Sequence, residues 1–243
     1  MKVKRLYTIG DSWTYGDEIP NPEEQAWPNV LSQEFDCEFI GKAICGGSND
    51  WMFRKTIEWV SEHKNFDDTI VIVAWSGPNR REENYQFYPS IIDDDKIERF
   101  IFSKLYNDEL EHYKSICYMI TLQEFLKSKN IKHLFFQPWY DILGCEKGLI
   151  LKREQEKKFT LPGGENWLFK NNNKKGYREY CYSEDLTIGN IIREIDKNYC
   201  IGPSVKGYEK EYCVDKIVPK HPSKEEHKIM AKFIKEKLVE LYG

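Results

Sequence analysis

The stretch Asp68-Thr69-Ile70-Val71-Ile72-Val73-Ala74-Trp75 is apolar and β-branched without interruption, and it runs straight into Ser76-Gly77-Pro78-Asn79. A strand with one wetted face alternates apolar and polar residues. A strand without that alternation is covered on both faces, which is the situation inside a parallel sheet flanked by helices. The segment therefore asks for a helix layer above it and another below.

The remainder of the chain supplies that setting. Residues 3–9 alternate apolar and polar and end in a turn at Gly10, residues 37–40 form a short second strand, and residues 131–136 form a fourth. Helical spacing lies between them. Val30, Leu31 and Phe35 follow Pro28, which suits a first helical turn; Phe53, Ile57 and Val60 follow from about Asp50. Residues 93–130 read as two helices, the second carrying Ile116, Ile120 and Phe125 and ending near Asn130. A closing helix over residues 223–242 places Met230, Phe233, Ile234, Leu238 and Leu241 at helical spacing. Strands alternating with helices, joined by crossovers that are nearly always right-handed, give an α/β fold with a three-layer, doubly wound parallel sheet. The 243 residues suit one domain, 1–243. Residues 140–210, rich in Lys, Asn, Gly and Tyr with only short apolar runs, break the rhythm and read as an irregular insertion over one end of the sheet.

Composition narrows the function classes. The formal net charge is -4 and the basic run ending in Lys174-Lys175 is short and asparagine-rich, so no nucleic-acid partner is expected. Seven cysteines include no Cys-x-x-Cys pair, which leaves no metal or cofactor site to expect. Cys37, Cys45 and Cys117 read as reduced thiols, which favours a reducing compartment. No apolar run follows the charged start Met1-Lys2-Val3-Lys4-Arg5, and none approaches the roughly 18 residues of a membrane helix. Neither a signal peptide nor membrane insertion is expected, and the cytoplasm is the expected location.

All strands of a parallel sheet point the same way, so their carboxyl ends share one rim, where open α/β sheets bind ligands. Four polar, glycine- or proline-flanked positions fall there: Ser12, Gly46, Asn79 and His221. Ser12 can attack a carbonyl, and His221 can take its proton and return it to the leaving group. The backbone N–H groups of Ser12 and Gly46 and the amide of Asn79 can hold the oxyanion. Each has a plainer use: Gly10-Asp11-Ser12 as a capped turn, Asn79 as a turn residue after Pro78, and His221 as a surface residue ahead of the cap Ser223. Asp11 reads as a structural tie within the Ser12 loop, Arg80 and Arg81 as a grip for an anionic substrate or, the favoured use, as surface partners of Glu82 or Glu83, and His227 as a surface residue. His63, His112 and His133 fall on helices or a strand without an evident partner. Trp13, Trp27 and Trp139 read either as a wall for sugar or acyl groups or as core.

These positions resemble the motif blocks of the SGNH hydrolases, the GDSL-like lipases and esterases. Gly10-Asp11-Ser12 matches the first block, with Trp13 in place of Leu; Gly46 matches the second, Gly77-Pro78-Asn79 the third, and His221-Pro222-Ser223 the fifth. The resemblance covers about residues 1–138 and 212–243. It implies a flavodoxin-like hydrolase fold and a serine hydrolase that cleaves a carboxylic ester through an acyl-enzyme. The family's aspartate three residues before the histidine is replaced by Val218; Asp215, six residues before it, is the candidate third member, reaching through a longer loop. A backbone carbonyl or a Ser–His dyad are the alternatives. The third block also carries Arg80 where the family often has Asp. The implied substrate is a small-molecule or carbohydrate ester with a small acyl group; the absence of a long apolar lid helix argues against a lipase, and the aromatic-rich middle insertion favours O-acetyl on a sugar. Acyl transfer to a sugar hydroxyl, and a non-catalytic carbohydrate-binding relic of the fold, are the competing functions.

Overall fold

The computed structural model of the chain describes residues 1–78, 80–82, 86–87, 108–138, 158–160, 166–168, 191, 194–201 and 221–243. In chain order the elements are β1 (Arg5–Ile9), α1 (Ser12–Tyr15), α2 (Pro22–Gln25), α3 (Trp27–Phe35), β2 (Glu38–Gly41), α4 (Asn49–Glu62) and β3 (Thr69–Ala74). Then come β4 (Arg81–Glu82), β5 (Gln86–Phe87), α5 (Asp108–Ser128), β6 (Lys132–Phe136), β7 (Lys158–Thr160), β8 (Asn166–Leu168), β9 (Cys200–Ile201) and α6 (Lys224–Tyr242).

Five strands form one parallel sheet in the order β2-β1-β3-β6-β9. Counted along the sheet's own strands this is the 2-1-3-4-5 order of the flavodoxin-like doubly wound fold, with the switch point between β1 and β3. Two short antiparallel pairs, β4-β5 and β7-β8, stand apart from it. The α/β fold class expected from the strand–helix rhythm is the one observed. Pattern reading gave four strands, and the sheet has five: β9 lies near the end of the 140–210 stretch and pairs Cys200 with Phe135 and Ile201 with Phe136. Most of that stretch lies outside the described residues, as does the first of the two helices expected over 93–130.

Two apolar layers sandwich the sheet. Tyr7, Ile9, Val71, Val73 and Phe135 face α4 and α5, meeting Met52, Trp59, Val60, Ile116, Met119 and Leu122. The alternate positions Leu6, Ile70, Ile72, Leu134 and Phe136 face α3 and α6, meeting Trp27, Leu31, Met230, Ile234 and Leu238. Burying a side chain such as Leu31 or Ile234 stabilises by about 1.5–3 kcal/mol. β1 departs from its expected half-wet pattern: Leu6, Tyr7, Thr8 and Ile9 are all fully buried, because β1 lies between β2 and β3 with helices on both sides. The buried face of α4 likewise sits beside the expected one. Met52, Thr56, Trp59 and Val60 are buried, while Phe53 and Ile57 pack at its margin.

Helix ends follow local chemistry. Ser223 caps α6 in a reciprocal box: its hydroxyl accepts from the Glu226 N–H, and the Glu226 carboxylate accepts from the Ser223 N–H. Asn130, just past α5, takes a left-handed φ of 54°, a conformation asparagine tolerates better than most residues. Among the described residues no helix is long and apolar enough to cross a membrane.

Candidate active site at the carboxyl rim of the sheet

β1 delivers the chain to the rim at Gly10. Asp11 caps the four-residue helix α1, its carboxylate accepting from the Trp13 N–H at 3.0 Å. Ser12 begins that helix and is 4% exposed. Its N–H therefore belongs to the first-turn donors for which a helix provides no internal acceptor. The Ser12 carbonyl closes the other end of the turn, accepting from the N–H groups of Gly16 at 3.0 Å and Asp17 at 3.1 Å.

Asp11 is tied more deeply than a cap alone requires. Its second carboxylate oxygen accepts from the Ser76 hydroxyl and from Arg80 Nη1, both at 2.8 Å, and its side chain is fully buried. Arg80 thus pairs with Asp11; the side chains of Glu82 and Glu83, its expected partners, lie outside the described residues. A pair 69 residues apart leaves no local trace, and only the sheet brings β1 and β3 side by side. Asn49 completes the arrangement from the third strand-end region. Its Oδ1 accepts from the Ser76 N–H at 2.8 Å, and its Nδ2 donates to the Ser76 carbonyl and the Ser115 hydroxyl, both at 3.0 Å. Sequence reading treated Gly46-Gly47-Ser48-Asn49 as a chain break and missed Asn49 as an anchor for the segment leading to Asn79.

The Gly46 loop packs against the Ser12 turn. The Gly10 carbonyl accepts from the Ile44 N–H at 3.1 Å, and a Cβ on Gly47 would stand 3.0 Å from the same carbonyl oxygen. Gly46 takes a left-handed φ of 75°, which a side chain would strain. Cys45 sits beside Asp17; burial first, and then that carboxylate, push its thiol above the ordinary range.

His221 arrives from the far end of the chain just ahead of α6. Its Nδ1 lies 3.2 Å from Glu18 Oε1 and its Nε2 lies 3.7 Å from Asp17 Oδ2. Nδ1 is shut off from solvent, and the Glu18 oxygen, although near, stands outside hydrogen-bond alignment with it. The Gly46 loop thus lies against the Ser12 turn, and His221 stands beside Asp17 and Glu18 in the segment just after that turn. Asn79 and Asp215 lie outside the described residues. The carboxylates beside the ring come from positions 17 and 18, for which no motif gave a signal.

His227, expected at the surface, is fully buried. The backbone N–H of Trp27 donates to its Nδ1 at 3.2 Å. An amide can only donate, so Nδ1 is an acceptor and the ring is neutral. Burial pulls its pKa from 6.5 down to about 4, and the neighbouring His221 adds to the shift. The helical period carried this signal: 227, 230, 231, 234 and 238 lie on one face. Burial also lowers the pKa of His133, which stacks on Tyr199 with centroids 4.8 Å apart. Trp27 is core, packed edge-on against Phe136, and Trp13 is partly buried against the same layer. Trp139 lies outside the described residues. Among the described residues no group of three or more His, Cys, Asp or Glu side chains is placed to hold a metal ion.

Comparison with known proteins adds the following. No curated protein sequence matches the chain. Among solved structures, the psychrotrophic esterase EstA from Pseudoalteromonas sp. aligns with TM-score 0.36 and 12% identity over 56% of this chain, which spans only 60% of that protein's length. A member of the lipolytic protein G-D-S-L family from Veillonella parvula DSM 2008 aligns with TM-score 0.45 and 11% identity, covering 99% of this chain and 98% of the other. A variant of Axe2, an acetyl-xylooligosaccharide esterase from Geobacillus Stearmophilus, aligns with TM-score 0.49 and 13% identity, covering 98% and 96%. A family model described as a family of unknown function, DUF6071, matches residues 18–147, beginning beyond Ser12 and ending before His221. That match runs over more than half of the chain, which therefore belongs to the family of unknown function DUF6071.

Proposed function

We propose that the protein is a serine hydrolase that cleaves a carboxylic ester carrying a small acyl group, an O-acetyl group on a carbohydrate being the favoured case. One observation carries the reading. The turn holding Ser12 packs against the Gly46 loop, and an imidazole from beyond residue 220 meets the carboxylates of Asp17 and Glu18, which close that same turn. A hydroxyl, backbone donors and a titratable base on one rim are the parts acyl transfer needs.

In this reading Ser12 Oγ attacks the ester carbonyl carbon while His221 takes the hydroxyl proton. The N–H groups of Ser12 and Gly46 and the amide of Asn79 hold the oxyanion, each donor contributing about 2.7–4 kcal/mol in the transition state. His221 returns the proton to the departing alkoxide, leaving an acyl group on Ser12. A water molecule, deprotonated by His221, then attacks the acyl carbon and frees the carboxylate and Ser12. Asp11 and Arg80 stay outside the chemistry and fix the turn. Residues 140–210 are read as an insertion into this single domain.

The test is p-nitrophenyl acetate hydrolysis together with labelling by a fluorophosphonate probe, which reacts with an activated serine. The parent protein is expected to turn over the ester and to label, and Ser12→Ala to do neither. Equal hydrolysis by both proteins would remove Ser12 from the reaction. A parent protein that neither labels nor hydrolyses would leave a binding role for the fold.

A further inference from the structure

An imidazole base works only if something fixes its ring and its tautomer, and the group that does so is commonly a carboxylate on the nitrogen remote from the nucleophile. The position from which the sequence resemblance would draw that carboxylate holds Val218. The described surroundings of His221 offer another. Nδ1 is buried away from water and has no hydrogen-bond partner among the described residues, while Glu18 Oε1 stands 3.2 Å away. Glu18 has a backbone suited to this service. It takes a φ of 68°, a left-handed conformation uncommon for a side-chain-bearing residue. It directly follows Asp17, whose N–H is bonded to the Ser12 carbonyl. The same short turn therefore carries the serine at one end and the carboxylate at the other.

We propose that Glu18 is the positioning residue for His221, its carboxylate accepting the Nδ1 proton and so leaving Nε2 free to take the proton of Ser12. This inference rests on the ester-hydrolase reading above. Asp17, 3.7 Å from Nε2, lies on the side of the ring that must face the serine and the substrate, so it is the less suited of the two. A further titratable neighbour among the described residues is His227, neutral and buried in α6, which supplies no acceptor charge.

The experiment compares the parent protein, Glu18→Gln, Glu18→Asp and Ser12→Ala. It measures kcat and KM on p-nitrophenyl acetate, the rate of fluorophosphonate labelling and the melting temperature. Glu18→Gln is expected to lower kcat and the labelling rate by about 100-fold or more, the lower end of what a correctly placed base contributes. KM and the melting temperature should stay at parent values, which a merely structural role would not allow. Glu18→Asp, which keeps the charge on a shorter arm, is expected to recover part of the loss. Glu18→Gln with parent kcat and labelling rate, alongside an inactive Ser12→Ala, overturns the proposal and returns the orienting role to Asp215 or a backbone carbonyl. A kcat loss that comes with a lower melting temperature and is not recovered by Glu18→Asp also overturns it. Ser12→Ala as active as the parent overturns instead the reading on which it rests.

Discussion

Ser12 and His221 come from opposite ends of the sequence, and what holds each in place differs in kind. Around Ser12 the bonds are buried and multiple. Asp11 has no exposed side-chain surface, takes hydrogen bonds from Trp13, Ser76 and Arg80, and connects through Ser76 to Asn49. Around His221 the partners are open to water, Asp17 and Glu18 being 41% and 63% exposed. Buried networks are rigid because a lost partner leaves an unsatisfied group in a low-dielectric setting. Carboxylates this exposed contribute little to stability through such contacts. The Ser12 turn is thus fixed by the fold, whereas the His221 ring stands beside carboxylates at the surface.

The harshest way to break this contrast is at Asp11. Asp11→Ala would strand the Arg80 guanidinium and the Ser76 hydroxyl, and should cost about 3–5 kcal/mol, the range for removing one partner of a buried pair. Chemical denaturation measures it, and a loss below about 1 kcal/mol would mean that the network does not anchor the turn.

The next effect lies under His221, at His227. Its folded pKa of about 4 lies below the unfolded value of 6.5, so the folded state binds fewer protons between those limits. The stability it contributes is complete above about pH 6.5 and is lost as the pH falls towards 4, on the order of 3 kcal/mol in all. His133, shifted the same way, adds to that slope. Denaturation midpoints across this window should decline with pH, and His227→Asn, which keeps an acceptor for the Trp27 N–H, should flatten the decline.

Asn49→Ala ranks third. It leaves the N–H and carbonyl of Ser76 without their side-chain partner and should cost about 2–3 kcal/mol, since each buried unsatisfied group costs about 1–3. Smallest of all is the stability effect of Glu18→Gln, expected within about 0.5 kcal/mol of the parent, as for surface positions generally. Thermal denaturation separates the two variants, and equal losses would erase the distinction between the ends of the rim.

These differences also explain what the sequence could reveal. β3 was legible because a strand covered on both faces writes itself as an unbroken apolar run, and α6 because its stripe and its Ser223–Glu226 box are local. Ser12 and Gly46 stood out as glycine-marked breaks after strands, and His221 as a proline-flanked position ahead of the closing helix. The Asp11–Arg80 pair was not, because it is made between neighbouring strands and not along the chain. β9 was missed because two residues are too few to show a period. His227 was readable from its helical spacing, but its polarity argued for the surface, and only the Trp27 N–H explains why a neutral ring is welcome in the core.

That last bond has a consequence for how the chain is made. It closes across 200 residues, and beside it Lys235 pairs with Glu34 at 3.0 Å and lies over the Phe35 ring. Synthesis proceeds from the amino end, so α3 must wait with Trp27 and Leu31 uncovered until the α6 segment leaves the ribosome. The Ser12 turn is among the earliest parts translated, yet His221 arrives just ahead of the element that seals this seam. A nascent chain stalled before α6 would present a sticky apolar flank where the finished molecule has a sealed layer.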